Sequence, residues 1–140
     1  MRKLVLILTL FLTTPVLAAP AVVQVYKSPS CGCCDKWVEH MRAHGFAVEA
    51  HGRRDMQSIK ERAGIRPGQG SCHTAFVGRY TIEGHVPAAD VKRLLEEEPE
   101  ATGLTVPGMP MGSPGMEGPY SESYKVLLFG NEGTRVFSRY

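Results

Sequence analysis

The chain has 140 residues, with 16 Lys and Arg against 14 Asp and Glu and only four cysteines. That length suits one domain able to bury a modest core without disulfide staples. Without Arg2 and Lys3, which lie in the leader described next, 14 basic residues face 14 acidic ones, so the chain lacks the basic surplus that nucleic-acid binding requires.

The first residues, "MRKLVLILTLFLTTPVLAAP", carry a basic start, an apolar run from Leu4 to Leu12, and small residues closing on Ala18. This is the layout of a secretory signal peptide, cut after Ala18 or Ala19; the run is shorter than the ~20 residues of a membrane span. The mature chain is expected to have no membrane segment and to meet an envelope compartment that permits disulfides.

"AVVQVY" (21–26) reads as a buried strand. In "CCDKWVEHMRAHG", Cys34, Trp37, Val38 and Met41 recur at helical spacing and Gly45 supplies the stop. "FAVEAH" (46–51) is a second strand. "DMQSIKERAG" (55–64) is a short helix with Asp55 as N-cap and Met56, Ile59 and Ala63 inward. "IRPGQG" is a loop, and "TAFVG" and "YTIEG" pair as a hairpin around Gly78 and Arg79. "VPAADVKRLLEEEP" is a helix with Pro87 in its first turn, Val91, Leu94 and Leu95 buried, and Pro99 closing it. Residues 99–120, dense in Pro, Gly and Met, hold no periodicity and read as a long ordered loop or lid. "YKVLLFGNEGTRVFSRY" ends the chain as a hairpin. The order predicts an α/β fold of thioredoxin-like arrangement, a mixed sheet flanked by helices. Residues 1–18 form the signal peptide and 19–98 the core; the lid loop and hairpin of 99–140 pack on the same domain.

In "SPSCGCCDKW" the strand-to-helix turn puts Cys31 at the mouth of the first helix and Cys33 and Cys34 in its first turn, where free N–H groups and the helix dipole favour thiolate. Cys31 and Cys34 have the C-x-x-C spacing of redox enzymes, and Cys33 is surplus to that chemistry. Cys72, in "SCHTAFV", precedes the third strand where a thioredoxin carries its cis-proline loop, so it should face the triplet, with His73 in the proline's place. Four thiolates in one pocket repel unless cations sit between them, and Cu(I) accepts thiolate, imidazole and thioether donors. A polynuclear centre bridged by cysteines follows as the preferred reading, with Met109 and Met111, and also Met116, as soft donors on the lid and His85 at the edge of the sheet. A methionine in a loop more often packs on apolar surface than binds metal, and His85 can as readily be structural. His40 and His44 look like an i, i+4 ligand pair, but His44 sits about 15 Å along the helix from Cys34, so they are read as surface or helix-end residues. Trp37 is a core anchor or pocket wall.

Three stretches, "CGCCDKWVEHMRAHGF", "SCHTAFVGRYTIEGHVPAADVKRLL" and "GLTVPGMPMGSPGME", resemble the CopG-type periplasmic copper-resistance proteins, a thioredoxin-like group, and span nearly the whole mature chain. The resemblance implies copper held by Cys31, Cys33, Cys34 and Cys72 in a multi-copper centre, a periplasmic role in surviving copper stress, and other periplasmic copper-handling proteins as partners. It leaves open storage, relay or Cu(I)/Cu(II) cycling, and so whether the protein is an enzyme. Three other readings stand beside it: a thiol-disulfide oxidoreductase using Cys31 and Cys34, a module stapled by two disulfides, and a structural zinc on the four thiolates.

Overall fold

A computed structural model describes residues 21–140; the predicted signal peptide lies outside them. In chain order the elements are β1 (Val23–Lys27), α1 (Gly32–Ala43), β2 (Val48–Gly52), α2 (Met56–Arg62), β3 (His73–Val77), β4 (Tyr80–Glu83), α3 (Ala88–Glu97), β5 (Gly103–Thr105), β6 (Lys125–Gly130) and β7 (Gly133–Arg139). The strands form one mixed sheet in the order β2-β1-β3-β4-β5-β6-β7. β1 and β2 run parallel across α1, β4 and β5 parallel across α3, and the other pairs are antiparallel. The predicted α/β class with a mixed sheet and flanking helices is thus observed.

Alternation along the strands decides which helix covers which face. Val23, Val25, Ala75, Val77 and Ile82 pack with Trp37, Val38 and Met41 of α1 and Val91 and Leu94 of α3 in one apolar cluster. The alternate residues Thr74, Thr81 and Glu83 face α2, where Lys60 Nζ reaches Thr74 and Glu83 and the Ala63 carbonyl accepts from Thr81. β4 is therefore buried along its whole length.

Asp55 caps α2 as expected, its Oδ1 accepting the Ser58 N–H at 3.1 Å. Three details differ from the sequence reading. The stretch 99–120 is not all loop: β5 lies inside it, fully buried between β4 and β6. Three residues are too few to show alternation, and at Gly103 a Cβ would strike the Thr81 carbonyl of the neighbouring strand, so the close approach needs glycine. Leu95 is only half-buried, while Asp90 in the same helix is buried and accepts hydrogen bonds from Ser138 Oγ and Tyr140 OH, tying the C-terminal strand to α3.

The third difference is His40, a half-buried residue whose Nε2 accepts the Ala88 N–H at the first position of α3. It caps a neighbouring helix, which distance along its own helix does not reveal. Burial, then repulsion by His44, holds its pKa below the usual histidine value. The unfolded chain therefore binds the proton more readily, and the cap's contribution is present above about pH 6.5 and lost as pH falls through the lowered folded pKa. His40→Ala should cost about 1 kcal/mol at neutral pH, by loss of one helix cap. Thermal unfolding should show the gap between the two proteins closing on acidification; a gap unchanged at low pH would refute this role.

Candidate metal centre

β1 ends at Lys27, whose buried ammonium pairs with Asp35 at 2.9 Å and so pins the first turn of α1 to the strand. Cys31 is the N-cap of α1, in extended conformation, and Cys33 and Cys34 occupy the first turn. The antiparallel register of β3 with β1 sets His73 opposite Lys27. Cys72, one residue earlier, is thereby carried to the start of α1. Its Sγ lies 3.4 Å from Cys34 Sγ and 3.9 Å from Cys33 Sγ, and Cys31 and Cys33 sulfurs are 3.5 Å apart. All four sulfurs fall within 4.8 Å of one another.

Cys31 and Cys34 are joined by a disulfide, while Cys33 and Cys72 are free thiols. This is the pair at C-x-x-C spacing, and the two-disulfide reading does not describe it. The expectation of four thiolates applies to the reduced form, because a sulfur in a disulfide has no charge to offer a metal.

Two imidazoles complete the cluster. The Cys72 sulfur lies 3.0 Å from His85 Nε2 and 3.3 Å from His73 Nδ1, and one ligand atom from each of the three residues fits within 4.8 Å. His85 Nδ1–H donates to the Pro114 carbonyl of the lid at 2.8 Å, which leaves Nε2 as the lone-pair nitrogen turned to Cys72. His73 is fully buried, with its ring 4.5 Å from that of Trp37 and edge-on to His85, and its Nε2 has no partner among the described residues. Trp37 donates to the Val86 carbonyl at 2.9 Å, so it is both core anchor and pocket wall.

Burial sets the protonation states of these donors. Burial, and then the neighbouring Cys33, push the Cys72 thiol up to about 12. Burial, followed for His73 by repulsion from His85, holds both imidazoles below the ordinary histidine value. Both rings are neutral at pH 7 and free to ligate, and a metal must displace the Cys72 proton.

The lid meets α1 at Gly115: a Cβ there would lie 2.7 Å from the Cys33 carbonyl oxygen and 2.9 Å from Trp37 N. Met109 is 51% exposed, Met111 is half-buried with its methyl group against Gly118, and Met116 is half-buried, its N–H bonded to the Ser113 carbonyl. His44 is exposed. Sequence reasoning missed two contributors. The Pro114 carbonyl that orients His85 leaves no trace in residue type, whereas Glu83, which holds the N–H of Ser71 just before Cys72, had one signal: an acidic residue closing a short strand.

The donors are sulfur and imidazole nitrogen, with no carboxylate in the group. That composition suits soft or borderline transition metals and not calcium or magnesium. The class is an α/β protein with a soft-donor cluster between the first helix of its sheet and the opposing strand. A family model described as a protein of unknown function, DUF411, matches residues 69–116, the stretch with Cys72, His73, His85 and most of the lid. Two solved structures, copper resistance protein CopG in form 2 and form 1, are each 41% identical with a TM-score of 0.82. They cover 87% of this chain and 99% and 98% of their own. No curated protein sequence matches. The chain belongs to the CopG family of copper resistance proteins.

Proposed function

We propose that the protein is a periplasmic copper-binding protein of copper resistance that holds Cu(I) in a centre of more than one ion. Cys31, Cys33, Cys34 and Cys72 act as bridging thiolates, His73 and His85 as imidazole ligands, and Met109 and Met111 as lid donors. The observation that carries this reading is that Cys72 belongs to both donor groups, the four sulfurs and the Cys72–His73–His85 trio. Six donors sharing one sulfur exceed what a single tetrahedral zinc takes, and a thiolate can bridge two Cu(I). The methionines rest on donor chemistry alone. A thioredoxin-like core over 19–98, carrying the lid and hairpin of 99–140, agrees with the order of the first four strands. Export rests on the leader sequence, and among the described residues no helix is long and apolar enough to cross a membrane. Other copper-handling proteins of the periplasm are the partners that storage, relay or redox cycling would require.

Anaerobic titration of the fully reduced protein with Cu(I) should saturate above one equivalent. Protein with the Cys31–Cys34 bond intact, showing two free thiols, should take up less. Equal uptake by both forms, or saturation of the reduced form at one ion, would refute the bridged centre.

The disulfide itself favours a second reading, thiol-disulfide exchange through Cys31 and Cys34. Cys31 is half-exposed and Cys34 buried, so an outside thiol would reach Cys31. Turnover of metal-free protein in an insulin-reduction assay, dependent on Cys31 and indifferent to Cys33, would favour it over copper binding.

A further inference from the structure

One fully buried carboxylate close to the cluster is not a donor. Glu83, opposite Thr74 in the β3–β4 register, turns its side chain to the α2 side of the sheet, away from His73. Its Oε1 accepts the Ser71 backbone N–H at 2.7 Å and the Lys60 ammonium, and its Oε2 accepts the Thr74 hydroxyl at 2.7 Å. Lys60 Nζ also donates to Thr74 Oγ1 at 3.1 Å. Ser71 is the residue before Cys72, and it is held from other sides too. Its hydroxyl donates to the Gly108 carbonyl, and the Gly108 N–H bonds the Gly70 carbonyl at 3.0 Å. A Cβ at Gly84 would come within 2.5 Å of the Ser71 side chain.

Removing a carboxylate from water is costly, and apolar side chains of similar size would join α2 to the sheet at least as well. Packing does not account for the charge; a directed grip on one backbone N–H does. Resting on the copper reading above, we infer that Glu83 is a positioning residue of the copper centre. Through Ser71 it fixes the backbone entering Cys72, so that the Cys72 sulfur reaches both the triplet and the two histidines, and Lys60 supplies the counter-charge.

The test replaces the ion pair by apolar groups, Lys60→Met with Glu83→Leu, and measures Cu(I) affinity of the reduced protein by anaerobic competition with a chelator. Affinity should fall about tenfold, the size of effect seen when a residue supporting a ligand is removed, while thermal unfolding shows the fold retained. Lys60→Met with Glu83→Gln, whose amide oxygen can still accept the Ser71 N–H and which leaves no ammonium unpaired, should stay within about threefold of the parent. In a Cys72→Ser background the double substitution to Met and Leu should cost much less, because the grip on Ser71 acts through Cys72 and only the lesser hold on Thr74, beside His73, remains to be lost. Unchanged affinity with Cys72 present, equal further loss without it, or a Gln variant as weak as the Leu one would each overturn the assignment.

If the double variant does not fold, amide exchange on the parent decides: a protected Ser71 N–H supports the grip, and exchange at the rate of an open loop overturns it. A parent protein that takes up no Cu(I) would sink the copper reading by itself, and the Ser71 exchange rate would still judge the grip.

Discussion

Replacing Cys72 by serine should lower Cu(I) affinity by about a hundredfold or more, beyond the range for losing a supporting residue, because it removes a ligand. Among the described residues, Cys72 Sγ is the atom in contact with Cys33, Cys34, His73 and His85 together. A hydroxyl there is a hard, neutral donor that neither matches Cu(I) nor bridges two ions. The metal-free fold should barely notice the change. With its thiol pushed up to about 12, Cys72 is uncharged at neutral pH, so one neutral group replaces another. For the same reason copper uptake by the parent should release the Cys72 proton, which calorimetry in buffers of different ionisation enthalpy would detect. An affinity equal to the parent's would remove Cys72 from the centre.

The second large effect is expected from a methyl group. Gly115→Ala should destabilise the protein by about 2–4 kcal/mol, since it combines a left-handed backbone with an overpacked contact. Gly115 has φ +87°. The atoms a Cβ would meet are the Cys33 carbonyl and the Trp37 nitrogen, both backbone of the helix that presents the cysteines and unable to swing aside. The lid must then lift, taking the Pro114 carbonyl from His85 Nδ1. The melting temperature should drop by roughly 10 °C, and nitrogen NMR of His85 should show a mixture of tautomers in place of one. A variant that melts with the parent would mean that the lid does not press on the helix.

The cluster was legible in the sequence because its parts sit at junctions that declare themselves. A cysteine triplet opens a helix, and Cys72 immediately precedes a strand, begun by His73, whose pairing partner is the strand before that helix. Local pattern carries such placement. It did not carry β5, whose three residues lie at the sheet's interior, nor the cap that His40 supplies to α3, since both depend on packing between elements remote in sequence. The Lys60–Glu83 pair shows the same limit: each residue is ordinary where it stands, and only the approach of α2 to β4 makes them partners. Whether Cys31 and Cys34 are joined is a matter of redox environment, which no residue pattern encodes.

The disulfide has one more consequence. Two sulfurs can share a bond or carry metal, but not both, so electron transfer and loading are linked equilibria whose coupling must be reciprocal. Whatever factor the bond removes from metal affinity, the metal removes from the tendency to form the bond. A filled centre would therefore guard its own cysteines against oxidation, and an oxidising shift in the surroundings would discharge it.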